Sequence, residues 1–352
     1  MNPSEVLYTP RLTRFPLAFH LLLISYIVIF LSFKIIHKQE TKVALLNSIP
    51  WLVFPTTGVI SGMALTELPA ITLFVGSSFL LGIAYNNGNW RSQSSSLLYL
   101  TISGILLGLS TWGRQNFIVT LVATLFIFLP INRKSIIFSL TYAIPALVIF
   151  LYPLSIWHGL VPPSVKFVEE GYRFSNFFLS LGYLGIYSLI IFPEFILSKN
   201  RQTFLSLSIM SLILVLIFPD LRYAPSQFLL ERLFGTFIKN VIAYFFGILL
   251  VFISLLLVYS IYLQIRKIKK NNDSNLTMYI YYSLFLIAIC FSNIKITHQF
   301  SSRYITLALP FLVYIVGANN FLSKDKFVFY RFTFSFVLSI IFILNYYGFL
   351  LP

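Results

Sequence analysis

Charge and cysteine are what this chain has least of. Asp, Glu, Lys and Arg together make only 10% of its 352 residues, against about a quarter in a soluble domain, so a water-facing surface cannot be covered. The single cysteine, Cys290, sits in an apolar run, which excludes a disulfide framework and any CxxC metal site. No Walker A, GxSxG, GxGxxG or HExxH pattern occurs, so the signatures of a P-loop ATPase, an α/β hydrolase, a nicotinamide dehydrogenase and a zinc protease are missing. What is abundant is apolar: 58% hydrophobic residues, 18% aromatic, and a mean hydropathy of +0.87. In a soluble domain the net charge of +15 would point to nucleic acid. In a chain this apolar, basic cytoplasmic loops account for it, and no nucleic-acid partner is expected.

Apolar stretches recur at 17–36, 43–61, 66–85, 97–113, 117–131, 135–157, 177–197, 203–219, 240–265, 278–295, 304–318 and 328–350. Most are near the length that crosses about 30 Å of hydrocarbon. They are apolar on all faces rather than alternating, so they read as helices and not as barrel strands. The expected fold is all-α: a polytopic transmembrane helix bundle of about 12 spans, within 10–14. No linker or repeat divides it, so residues 1–352 are expected to form a single transmembrane domain. Gly58 with Gly62, and Gly104 with Gly108, have the spacing of close helix packing.

Charge then orients the spans. If the loop at 34–42 is cytoplasmic, alternation gathers Lys34, Lys38, Lys42, Arg91, Arg133, Lys134, Lys199, Arg201, Arg266, Lys267, Lys269, Lys270, Lys324, Lys326 and Arg331 inside. Glu5, Glu67, Glu169, Glu170, Asp220 and Glu231 fall outside, and 158–176 and 220–239 become outer-face loops. The N-terminus is then outside, although Arg11 and Arg14 weigh against this. Residues 1–16 are polar and do not read as a signal peptide.

Ionisable groups near membrane depth are costly, so each is a functional candidate. On this topology Glu67, Arg114, His158, His298 and Arg303 gather on the outer side. Each also has a plain structural reading. Glu67 suits the start of the following helix, and Arg114 suits a side chain reaching for headgroups. The histidines have no metal-ligand spacing, and no metal site is expected. Glu169 and Glu170 read as a solvated loop.

In order along the chain these features form a pattern: the acid Glu67 at the third apolar block, the run GILLGLSTWGR over 104–114, and Ser302-Arg303-Tyr304 followed by Pro310. Together with the proline-bounded stretch Thr9–Pro16, this pattern resembles the GT-C class of polytopic glycosyltransferases, such as dolichyl-phosphate-mannose mannosyltransferases and aminoarabinose transferases. The resemblance covers most of the chain as a succession of blocks. It implies transfer of a sugar from a polyprenyl-phosphate donor to an outer-face acceptor, which could be a glycan, a lipid or a protein, in a bacterial plasma membrane. Arg303, with Arg114 second, would hold the donor phosphate through the planar guanidinium fork. A carboxylate would take the acceptor's proton, and His158, His298 and Tyr304 would orient the substrates. A divalent cation fits this class but is not demanded. The family's acidic base lies on a first outer loop. Glu5 is the only acid there and does not match its spacing, which leaves Glu67 as the candidate catalytic carboxylate. The expectation is that the usual base precedes residue 1, comes from a partner, or is absent, so that this chain alone is weak or inactive as a transferase. The alternative is a polysaccharide polymerase, a flippase or another multi-pass transporter, although the inverted repeat of a secondary transporter is not visible.

Overall fold

Proline removes a backbone donor and disfavours helix just before it, and several apolar runs are cut on that rule. A computed structural model of the chain describes residues 9–63, 67–86, 94–124, 127–129, 131, 133–158, 171–197, 200–222, 227–271, 275–295, 303–318, 322 and 326–346. Among them the regular structure is helical and no strand occurs. The helices are α1 Thr9–Leu31, prolonged by a π-turn at Ser32–Ile36, α2 Thr41–Val53, α3 Pro55–Met63 and α4 Glu67–Asn86. Next come α5 Ser94–Gly113, α6 Thr120–Thr124, α7 Arg133–Trp157, α8 Ser175–Ile191, α9 Pro193–Leu197, α10 Arg201–Ile217 and α11 Gln227–Lys270. The last are α12 Leu276–Ser292, α13 Arg303–Thr306, α14 Leu309–Gly317 and α15 Val328–Tyr346.

Among the described residues six helical stretches are long and apolar enough to cross a membrane: Leu17–Ile36, Glu67–Tyr85, Ser95–Gly113, Arg133–Trp157, Gly235–Lys270 and Leu276–Lys295. Four others, Gln115–Thr124, Ser175–Ile191, Arg201–Ile217 and Val328–Leu344, are apolar but shorter. The chain is therefore an all-α protein with the helices of a membrane protein. Several runs read as single spans are built in pieces. The run 43–61 breaks at Phe54 before Pro55, and 177–197 breaks at Phe192 before Pro193. The stretch 304–318 is divided between α13 and α14, with Pro310 in the first turn of α14.

One expected loop is corrected. Residues 220–239 are helical from Gln227 onward, because Glu231 and Arg232 lower the hydropathy there without ending the helix. The interruption comes at Gly235, with φ 76° and ψ 170°, a conformation natural only to glycine. Of the other expected loop, 158–176, residues 158 and 171–174 are non-helical, helix resumes at Ser175, and 159–170 lie outside the described residues.

The helices cluster into two compact units: Met1–Val168 with Ser274–Ile289 and Thr306–Pro352, and Glu169–Asp273 with Cys290–Ile305. The sequence showed no linker between them because one boundary falls inside α12 and another inside α13.

In the first unit, packing fixes the direction of each helix. Helices α4 and α5 are antiparallel: Ser77 and Ser103 exchange hydroxyl-to-carbonyl hydrogen bonds at 2.8 and 2.7 Å, and Phe74 meets Phe117 at 4.2 Å between ring centroids. Helices α5 and α7 are parallel. Gly104 lies against the carbonyl of Tyr142, Gly108 lies against Ala146 and Ile149, and the indole of Trp112 donates to the Ile149 carbonyl at 3.0 Å. A Cβ on Gly104 would collide with backbone, so the expected close packing of this pair of glycines is what the structure contains. Helix α1 runs with α4, through Thr72 to the Leu21 carbonyl at 3.2 Å and Gly82 against Ile36. Helix α15 follows α2 and α3, through Ser335 to the Val53 carbonyl at 2.8 Å and Gly58 against Ser339. These directions put Lys34, Lys38, Lys42, Arg133, Lys134 and Lys326 at one end of the unit and Glu67 and Arg114 at the other. The start of α1, with Arg11 and Arg14, is also at the Arg114 end.

In the second unit, α8 packs on α11 with Ser254 donating to the Phe178 carbonyl at 2.7 Å, and Asn293 donates to Ser180 at 2.8 Å. The guanidinium of Arg222 lies 4.3 Å over the ring of Tyr244. The outer flank of α10, with Leu205, Ile213 and Ile217, is exposed.

Candidate functional site

Glu67 opens α4, where the first backbone N–H groups have no intrahelical acceptor and favour a negative charge. Its side chain is only 1% exposed. Burial of a lone carboxylate is prohibitive unless it is paired, and the partner is Arg114, whose Nη2 donates to Glu67 Oε1. Arg114 is the first residue after α5, where the helix stops and the backbone turns extended at φ −151°, ψ 98°. Its N–H donates to the Ser110 carbonyl and its carbonyl accepts from Phe117 N–H, both at 3.1 Å. The backbone of Arg114 is thus pinned between α5 and the 3-10 turn Gln115–Val119. The antiparallel register of α4 and α5 then brings the start of one to the end of the other.

The two residues differ in access. Arg114 keeps 23% of its side chain exposed while its partner is enclosed. Beside it Trp112, 47% exposed, stacks on Tyr152 with 6.0 Å between centroids. Aromatic residues with a polar edge suit the level of lipid headgroups. A guanidinium at such a depth can meet a phosphate or carboxylate in a planar, two-point contact.

The remaining candidates divide. His158 closes α7 at the same end as Arg114, exposed and with φ 50°, so it ends the helix in a left-handed turn. Arg303 begins α13, but its side chain lies outside what is described, as does the whole of His298. Tyr304 is buried in the second unit. Among the described residues no cluster of three or more His, Cys, Asp or Glu could hold a metal.

Sequence reasoning passed over the polar groups of the opposite end. Gln39 and Asn47 each donate to the Gly317 carbonyl at 2.9 Å, and Asn47 also donates to Gln39 at 2.9 Å. Tyr282 stacks on Tyr314 at 4.6 Å, and Tyr314 shares a 3.1 Å hydrogen bond with Ser32. Isolated neutral residues carry no motif that would reveal such contacts.

Comparison with family models, curated proteins and solved structures gives no match to this chain.

Proposed function

We propose that this protein is a GT-C-type membrane glycosyltransferase, which moves a sugar from a polyprenyl-phosphate donor to a glycan, lipid or protein acceptor on the outer face of a bacterial plasma membrane. The observation that carries the reading is Arg114: a held, partly open guanidinium at the end of the first unit opposite Lys34, Lys38, Lys42, Lys134 and Lys326. If the lysine end is cytoplasmic, Arg114 stands at the outer headgroup level, where a lipid-linked phosphate lies. Arg303, with Arg114 as the second choice, is the proposed phosphate contact, and His158, His298 and Tyr304 are the proposed candidates for orienting the substrates. A divalent cation is compatible with this chemistry and is not required by it.

About twelve crossings belong to the same proposal. In support, α2 and α3 run in one direction as two halves of one pass, and residues 115–132 connect the end of α5 to the start of α7 at the opposite end.

The test is to reconstitute the chain in lipid nanodiscs and vesicles with a labelled polyprenyl-phosphate sugar and membrane-derived acceptors. Donor binding with weak transfer of label to an acceptor by the chain alone is the expected result. Movement of labelled lipid across vesicles without transfer would favour the flippase alternative, and absence of donor binding would overturn the reading.

A further inference from the structure

We propose that Glu67 is a positioning residue: its carboxylate fixes the guanidinium of Arg114 and thereby sets the affinity for the donor phosphate, and it does not take the acceptor's proton. The inference rests on the glycosyltransferase reading above and deepens it.

Three observations carry it. First, Glu67 is enclosed, at 1% exposure, and its Oε1 accepts from Arg114 Nη2. A general base must come within hydrogen-bond reach of the hydroxyl it deprotonates, and a carboxylate with so little access presents itself poorly to an acceptor. Second, Arg114 is the accessible member of the pair, and it is the member whose chemistry matches a phosphate. Third, the Arg114 backbone is hydrogen-bonded on both sides, to Ser110 and Phe117. With its backbone pinned and its side chain tied to Glu67, a long flexible group is ordered before ligand arrives. Ordering in advance removes a cost from binding. Glu67 and Arg114 are therefore one device, in which the acid prepares the cation and another group serves the acceptor.

A double-mutant cycle separates the two roles. The full chain in nanodiscs is titrated with a labelled polyprenyl monophosphate, and transfer is measured separately at saturating donor. Glu67→Gln should weaken binding about tenfold, since it removes a charge-assisted hydrogen bond from the arginine. Once Arg114→Gln is present, adding Glu67→Gln should weaken binding little further, because residues that act through one contact are not additive. Turnover at saturation in Glu67→Gln should stay within a few-fold of the parent. Unchanged affinity with turnover reduced about 10²–10⁴-fold would overturn the proposal and make Glu67 the base. If the parent binds no polyprenyl monophosphate, the glycosyltransferase reading falls and this inference falls with it, an outcome distinct from a parent that binds and a Glu67 variant that binds equally well. Should Glu67→Gln fail to fold, Glu67→Asp, which keeps the charge one methylene short, carries the same comparison.

Discussion

At the Arg114 end of the first unit a buried carboxylate faces a cation, whereas at the opposite end two neutral amides, Gln39 and Asn47, converge on one carbonyl. That carbonyl belongs to Gly317, the last residue of α14, where a helix leaves its final acceptors unsatisfied. Among the described cations of that end, Lys34, Lys38, Lys42, Arg133, Lys134 and Lys326 are exposed and Arg331 is half-exposed. Among the described residues its fully buried polar groups are therefore neutral, and its cations reach the surface. Neutral amides terminate a helix at low cost, while a buried ion pair must offset the desolvation of two charges and is often no better than an apolar pair. The charged interior of the Arg114 end is thus poorly explained by folding alone, which is the reason to look for chemistry there.

The comparison breaks most completely if the orientation is reversed. Single cysteines at Lys38 and His158, both exposed residues, would be challenged in whole cells with an impermeant maleimide. The native Cys290 is buried and should contribute little background. The expected result is labelling at His158→Cys in intact cells and at Lys38→Cys only after permeabilisation. The opposite pattern would move the Arg114 end to the cytoplasm and remove the outer-face donor site. The next largest effect is Arg114→Ala. It leaves Glu67 enclosed without its cation, which should cost about 3–5 kcal/mol in reversible unfolding from detergent. A loss under about 1 kcal/mol would mean that the pair is a surface ornament.

Much of this architecture is legible in the sequence, and the limits have physical causes. Apolar runs without alternation specify membrane helices because every backbone polar group must be satisfied within its own segment. The glycine spacing at 104 and 108 was readable because only a missing Cβ permits the approach of Tyr142 and Ala146. Glu67 and Arg114 stand out singly as costly groups, but their pairing across 47 residues depends on the register between α4 and α5, which no local pattern encodes. Residues 220–239 read as a loop because five charged residues, Asp220, Arg222, Glu231, Arg232 and Lys239, lower the hydropathy there even where the backbone continues as helix. Gln39, Asn47 and Gly317 were invisible, since their roles exist only once α14 ends beside the turn after α1.

A smaller effect probes the packing that holds the Arg114 end together. Gly104→Ala pushes a methyl into the carbonyl of Tyr142, and backbone cannot yield as a rotamer can. The expected loss is about 1–3 kcal/mol. Gly76→Ala, whose new Cβ would meet Leu106 Cδ1 at an ordinary 3.4 Å, should instead be neutral or gain up to about 1 kcal/mol from helix propensity. Equal losses at the two positions would show that the α5–α7 contact is looser than the glycines imply.

The smallest effect belongs to the neutral end. Gln39→Ala removes one of the two amide donors to Gly317, but Asn47 still reaches the same carbonyl at 2.9 Å. The expected cost is therefore that of an ordinary net hydrogen bond, about 0.5–1.5 kcal/mol. Asn47→Ala should cost more, because Asn47 is 1% exposed and its Nδ2 serves both Gly317 and Gln39. Neither change should alter phosphate binding at Arg114, since both lie at the other end of the unit. Unfolding of the two variants beside Arg114→Ala gives the ranking directly, and titration with a labelled polyprenyl monophosphate gives the functional half. If Gln39→Ala destabilised the chain as much as Arg114→Ala, the contrast between a charged and a neutral interior would lose its force. If it weakened the phosphate site instead, the two ends would be coupled through α1 and α4, and the site could no longer be treated as local to the Glu67–Arg114 pair.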